Sequence, residues 1–335
     1  MSEQRPHRPR VLSGIQPTGT GKHLGNYLGA VRHWAAMQDD FDCFFFLADL
    51  HALTTTPDPA EHRQRTRNTA AELMAMGIDP SRSALFAQSH LPQHAELAWI
   101  LSCLTGFGEA SRMTQFKEKG GGNVGLFTYP VLQAADILLY QPQSVPVGED
   151  QRQHLELTRD LAQRFNSRYG PAFTVPEPYV RRSGERIKDL QDPTVKMSTS
   201  RGGAGTLWVV DEPKAITKKI KSAVTDTGRE VVASDDKPGI TNLLNILSVA
   251  TGTGLPELEV RYQGRGYGDF KADVAAAVVE LFGPVRERYL ELVADPRHLD
   301  IVLAQGAVQA RRVAEQTMVD VRERVGLLAP ARQAG

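Results

Sequence analysis

The segment CFFFLA, Cys43 to Ala48, is apolar at every position and constrains this chain more than any other feature. A strand without polar alternation must be buried on both faces, as happens in a parallel sheet with helices on either side. Three further short runs fit the same sheet: Val11 to Ile15, SALFAQ from Ser83 to Gln88, and SVPV from Ser144 to Val147. Helical spacing fills the gaps between them. Leu24, Leu28 and Val31 recur at four and three, and Pro59 to Met76 opens behind Asp58, a good N-cap. Strand alternating with helix predicts a doubly wound, Rossmann-like α/β domain. From about Pro213 the runs are helical, notably Asn242 to Ala250, Phe270 to Leu281 and Ala307 to Val325. At 335 residues two domains are expected, residues 1–200 α/β and residues 201–335 all-helical, with Lys188 to Gly205 an exposed loop.

Composition excludes several classes. Formal net charge is zero, so a nucleic-acid partner has to be argued from local patches. The two cysteines, Cys43 and Cys103, lack metal-ligand spacing and form no disulfide framework, which fits a reducing cytosol. The basic start MSEQRPHRPR has no apolar core and is not expected to act as a signal peptide. No run of about 18 apolar residues is present to span a membrane.

The stretch SGIQPTGTGKHLGNYLG, Ser13 to Gly29, runs from the first strand into a helix beginning near His23. It is not a P-loop, because Gln16 stands where the first glycine belongs and His23 where the Ser or Thr belongs. It is not a dinucleotide fingerprint either, since Gly19, Gly21 and Gly25 are spaced one residue too wide. A helix start beyond the carboxyl end of a strand offers backbone N–H groups to an anion. Gly25 leaves room for a ring or a phosphate, and His23 and Asn26 add donors on one turn. Alone, the segment reads equally well as a glycine-rich turn without a ligand.

A second constellation is VKMSTSRGG, Val195 to Gly203. Lys196 between serines and glycines suits a loop that closes on phosphate charge as it builds; by itself such a loop is commonly a linker. The third is TYPVLQAADILLY, Thr128 to Tyr140. Tyr129, Gln133, Asp136 and Tyr140 fall on one helical face, with Leu132, Ala135 and Leu139 opposite. An acid among apolar neighbours wants a donor, and an indole N–H is one.

His-x-Gly-Asn after the first strand, paired with Lys-Met-Ser-x-Ser after the α/β half, resembles the signatures of class I aminoacyl-tRNA synthetases. SGIQPTG, MTQFKEK (Met113 to Lys119), the AADILLY helix, VPVGEDQRQHLELTRDLAQRFN (Val145 to Asn166) and KPGITNLLNILS (Lys237 to Ser248) are similar to the bacterial tryptophanyl type. The resemblance spans about Leu12 to Leu328. It implies a tryptophan–tRNA ligase of protein translation, cytoplasmic and homodimeric. Such an enzyme uses ATP to form tryptophanyl-adenylate and passes the acyl group to the 3′ end of tRNA(Trp), with Mg²⁺ carried on the ATP phosphates. It implies ATP contacts at Gln16, Pro17, Thr18, Gly25 and Asn26, at Gly148, Glu149 and Asp150 for the ribose, and at Ile187 for the adenine. Lys196, Met197, Ser198, Thr199 and Ser200 would close over the phosphates, with His23, Asn26, Lys196 and Thr199 at the chemistry. Asp136 would accept the indole N–H, Tyr129 and Gln151 would hold the amino-acid ends, and His51 would line the pocket or serve as a structural histidine.

Two departures from that family stand out. Thr199 replaces a usual lysine, so a cation is missing, and Arg201, Lys117 and Lys119 are its candidate substitutes. Gln133 stands where many relatives carry Met against the indole. Lys218, Lys219 and Lys221 form a local basic face for tRNA phosphates or simply for solvent. Asp150 and His154 are spaced as a plain i,i+4 pair. The helix from His94 to Leu104 and the Phe107 region could supply a dimer interface. Rival readings are the sister tyrosine enzyme, a small nucleotidyltransferase and a non-catalytic binder of tryptophan or tRNA.

Overall fold

The computed structural model describes residues 8–17, 19, 21–113, 122–146, 151–179, 187–199 and 201–329. A parallel sheet is built from β1 (Arg10–Ile15), β2 (Asp42–Leu47), β3 (Ala84–Ala87), β4 (Ser144–Pro146) and β5 (Glu177–Tyr179) in the order β3-β2-β1-β4-β5. Leu12 lies opposite Phe44, and Phe44 opposite Ala84, so the apolar segment is the second strand in from the β3 edge. Its side chains alternate between two cores. Cys43, Phe45 and Leu47 join one cluster with Val11 and Leu85, while Phe44, Phe46 and Ala48 join the other with Leu12 and Phe86. Double-sided burial is therefore the reason this strand carries no polar residue. β5 was not foreseen: its Glu177 and Pro178 are exposed and Pro178 removes a ladder donor, as suits an edge strand.

Helices cover both faces. The chain enters α1 (Leu24–Asn26), passes one π-helical turn at Tyr27–Val31, and continues as α2 (Arg32–Met37). A π turn widens the helix locally and often accompanies a functional site. α3 (Asp49–Ala52) follows β2, and α4 (Pro59–Ala75) starts as expected, with Asp58 accepting from the amides of Ala60 and Glu61 at 2.9 and 3.0 Å. Beyond β3 come α5 (Gln93–Ser102), α6 (Phe107–Ala110) and α7 (Val124–Leu138), and α8 (Arg152–Tyr169) joins β4 to β5.

The later residues form α9 (Pro213–Lys221), α10 (Pro238–Thr251), α11 (Leu255–Arg261), α12 (Tyr267–Val293) and α13 (Pro296–Arg324), without a strand among the described residues. α13 returns to the sheet. Its Ala307, Ala310, Ala314 and Met318 enter the core of Phe44 and Phe86, and Gly306 sits directly on the Leu85 backbone, where a Cβ would overlap the carbonyl. Small residues along one helix face let two backbones approach this closely.

Candidate functional site

The segment after β1 is held by its own backbone. Gly21 adopts φ +105°, a left-handed conformation that a side chain would strain. His23 then caps the helix start: its carbonyl accepts from Asn26 and Tyr27 at 2.8 and 3.1 Å, and its amide donates to Asn26 Oδ1 at 3.2 Å. Asn26 is thus part of the cap itself. The space beside Gly25 belongs to the His23 ring, since a Cβ there would stand 3.0 Å from Nδ1 and Cε1. Lys22 is no phosphate lysine of the P-loop kind; it is buried and donates from Nζ to the Gln16 carbonyl at 3.1 Å.

The same turn is stitched to the segment that follows the second motif. Leu24 N donates to Leu207 O and Val209 N to Lys22 O, both at 2.9 Å, and the His23 ring meets Trp208 edge-on. The lysine loop folds back onto this seam. Asp189 N donates to Val195 O at 3.0 Å, Met197 N to Ile187 O at 3.1 Å and Leu190 N to Gly205 O at 2.9 Å, while Thr206 Oγ1 donates to Ser198 O at 3.3 Å. Lys188 to Gly205 is consequently not the plain exposed loop expected from its composition. Ile187, Leu190 and Met197 are buried anchors, and Lys196 and Thr199 remain exposed. Lys196 lies near enough to His23 for its charge to act on the imidazole. Burial, then the charges of Lys196 and Lys22, bring the His23 imidazole down to about 4.

Thr18, Gly148, Glu149, Asp150 and Ser200 lie outside the described residues, as do Lys117 and Lys119. Arg201 is half exposed and 3.3 Å from Asp192.

A second polar cluster sits beyond the carboxyl ends of β2 and β3. Asp136 is fully buried and accepts three hydrogen bonds, each at 2.7 Å, from His51 Nε2, His94 Nδ1 and Gln88 Nε2. With His94 donating through Nδ1, its Nε2 accepts from the Tyr140 hydroxyl at 3.0 Å. Burial pushes the Asp136 carboxyl up, but the imidazoles of His51 and His94 against it prevail and hold it below its ordinary value. The protein itself thus supplies this acid with three donors. Oδ2 carries only one of them and keeps capacity for another.

His51 links this acid to Tyr129, and Gln133, one turn before Asp136 on α7, pairs with Gln151. His51 and Tyr129 rings meet edge-on at 4.6 Å, Tyr129 meets His154 at 5.5 Å, and Gln133 Nε2 donates to Gln151 Oε1 at 3.2 Å. His154 is buried with Nδ1 3.1 Å from the same Gln151 oxygen. Two buried atoms, His51 Nδ1 and Gln133 Oε1, have no partner among the described residues. Tyr140 lies just past the end of α7, and the helix packs on both faces rather than only on the Leu132 side. Gln88 and His94 were not singled out from the sequence. The available signal for Gln88 was its position as a polar residue closing a buried strand.

Two polar centres thus lie at the carboxyl ends of neighbouring strands of one parallel sheet, where α/β folds bind ligands. The family model for class I tRNA synthetases (W and Y) matches residues 4–283. The chain belongs to that family.

Its kinship within the class I synthetases is to the bacterial tryptophan enzymes, as the motifs implied. It is 58% identical over 329 residues to tryptophan--tRNA ligase 2 of Streptomyces avermitilis, covering 96% of this chain and 98% of the relative. It is 55% identical over 332 residues to tryptophan--tRNA ligase of Corynebacterium glutamicum, covering 96% of both. Among solved structures, tryptophanyl-tRNA synthetase from Campylobacter jejuni, complexed with ADP and tryptophan, superposes with a TM-score of 0.85 at 37% identity, over 95% of this chain and 100% of that one. The Mycoplasma pneumoniae tryptophanyl-tRNA synthetase also reaches 0.85, at 35% identity over 96% and 98%. The expected Rossmann-like sheet with a helical C-terminal region is therefore the fold of this synthetase.

Proposed function

We propose that this synthetase activates L-tryptophan with ATP and transfers the tryptophanyl group to the 3′ end of tRNA(Trp). The tryptophan carboxylate attacks the α-phosphate, pyrophosphate leaves, and the mixed anhydride is then opened by a ribose hydroxyl of the terminal adenosine. No side chain forms a covalent intermediate, so the protein acts by orientation and by neutralising the triphosphate. The observation that carries the reading is the backbone seam from Lys22 to Leu24 against Leu207 to Val209, which supports a shared phosphate cleft between His23 and Lys196.

ATP is assigned to Gln16, Pro17, Thr18, Gly25 and Asn26, with Gly148, Glu149 and Asp150 toward the ribose and the Ile187 backbone toward the adenine. Lys196 through Ser200 would meet the phosphates, and His23, neutral at pH 7, would donate or accept one hydrogen bond without adding charge. Mg²⁺ suits coordination through the phosphates; among the described residues no three His, Cys, Asp or Glu side chains group as ligands.

Tryptophan is assigned to the Asp136 cluster. The free capacity of Oδ2 suits the indole N–H, the single polar group on that ring. A substrate ammonium would satisfy the buried acceptors His51 Nδ1 and Gln133 Oε1, next to Tyr129 and Gln151. Gln133, in place of an apolar residue, thereby has a use. A side chain lacking the N–H would leave the acid one partner short, which is a strong basis for discrimination.

For tRNA we assign residues 201–335. A groove of about 900 Å³ between α9 and α12 has an apolar floor including Ala272, Ala275 and Val279, rimmed by Lys214, Lys218 and Lys221. Such a surface suits unstacked bases flanked by phosphates. Lys219 is not part of it, being tied to Asp211 at 2.6 Å and to the Thr206 carbonyl at 2.8 Å. A homodimer would use the face where Trp99, Phe107 and Val124 are 72%, 78% and 76% exposed. A cytoplasmic location agrees with this function; no described helix is long and apolar enough to cross a membrane.

Exchange of labelled pyrophosphate into ATP tests the proposal. Exchange is expected with tryptophan and not with tyrosine, followed by charging of tRNA(Trp); exchange with tyrosine alone, or none, overturns it.

A further inference from the structure

Glu72 on α4 is a buried acid that the reaction above does not use. It lies directly under the nucleotide loop: a Cβ on Gly21 would stand 2.7 Å from its Oε1. The backbone amide of Lys22 also points its hydrogen toward the carboxylate. Lys22 is itself buried, and its ammonium ties back to the Gln16 carbonyl at 3.1 Å. Glu72, Lys22 and Gln16 thus span the loop from beneath. The acid also faces a polar cavity of about 190 Å³ lined by Gly19, Gly21, Arg65, Asn68, Val210 and Tyr289 among others, so the loop, α4 and α12 of the helical half meet there.

We propose that Glu72 is a positioning residue for the nucleotide loop, its carboxylate fixing the Gly21–Lys22 turn from which the His23 helix start is launched. Gly21 at φ +105° is the shape that admits the carboxylate. Removing the acid lets the turn relax toward the cavity and shifts the Leu24 amide and the His23 ring away from the seam at Leu207 to Trp208. The effect falls on ATP and not on tryptophan, whose residues lie on other elements.

The groups facing Glu72 are Lys22 from the loop, Arg65 from its own helix and Tyr289 from α12. Arg65 is engaged by Glu61 at 2.7 Å. Burial lifts the Glu72 carboxyl to about 7, against the opposing charge and backbone amide of Lys22. The ionised anchor is therefore complete above neutrality and lost below it.

This inference rests on the nucleotide assignment above, and its test separates the two. ATP KM, tryptophan KM and kcat in pyrophosphate exchange are measured for wild type and Glu72→Gln at pH 6 and pH 8. Direct binding of a non-hydrolysable ATP analogue is measured in parallel. The expected ratio of variant to wild-type ATP KM is about tenfold at pH 8 and near one at pH 6, with tryptophan KM within twofold. Lys22→Arg should keep ATP KM near wild type, whereas Lys22→Met should raise it. A ratio of one at pH 8, a ratio that ignores pH, or equal losses for both substrates overturns the proposal. Wild-type protein that neither exchanges nor binds the analogue overturns the nucleotide assignment instead. Should Glu72→Gln not fold, the double variant Lys22→Met/Glu72→Gln removes both buried charges and carries the same readout.

Discussion

Gly306 of α13 rests on the backbone of Leu85 in β3, close enough that any side chain at 306 would overlap the Leu85 carbonyl. Gly306→Val is therefore expected to lower stability by about 3 kcal/mol or more, by forcing the helix off the sheet. Urea unfolding measures it. A loss no larger than that of Val at an exposed α13 position would show that the contact is soft.

Asp136 gathers His51, His94 and Gln88 onto one carboxylate. Asp136→Ala should raise tryptophan KM by roughly two to three orders of magnitude while ATP KM stays nearly unchanged. It should also destabilise the fold by about 3–5 kcal/mol, because three buried donors lose their acceptor. Exchange kinetics below the variant's melting range, together with a thermal melt, check both parts; an unchanged tryptophan KM contradicts the indole assignment.

Thr199 is exposed and uncharged, whereas among the described residues Arg201 makes an exposed pairing with Asp192. Exposed pairs of this kind contribute little, so the guanidinium is free to swing to a phosphate. Arg201→Ala should lower kcat by up to about a hundredfold, equivalent to roughly 3 kcal/mol of transition-state stabilisation. Thr199→Ala should change it less. Lys117→Ala belongs to the same series. The reverse order in a kcat comparison would remove the case that another cation replaces the missing lysine.

His23 is neutral at working pH, brought down to about 4 by burial and by Lys196 and Lys22. Its folded value lies below the unfolded one of about 6.5, so its contribution to stability is full above pH 6.5 and is lost as pH falls toward 4. His23→Asn should flatten that part of the curve by about 3 kcal/mol. Urea midpoints measured from pH 7 to pH 4 decide it, and an unchanged slope would assign the loss to other groups.

The strands were legible where burial removed alternation, and β5 was not, because its exposed Glu177 and Pro178 carry no periodic signal. Asp58 announced α4 because N-capping is chemistry local to a few residues. Loop 188–205 was misread for the opposite reason. Met197 and Leu190 are buried through backbone pairing with Ile187 and Gly205, which a composition of Ser, Thr and Gly does not encode. In the Asp136 cluster, the acid was found by its apolar neighbours, yet its partners Gln88 and His94 come from other elements and become visible only once the sheet is assembled. Lys22 drew notice as part of a failed phosphate motif. Its burial beside Glu72 depends on a contact between residues far apart in sequence.

The return of α13 to β3 has a consequence for synthesis. β3 is an edge of the sheet, and the helix that shields it is encoded after more than half the chain's length has intervened. At translation rates of roughly 5–20 residues per second, the nascent α/β half waits on the order of tens of seconds with that flank bare. Completion of the α/β half is thus timed by the ribosome's release of α13.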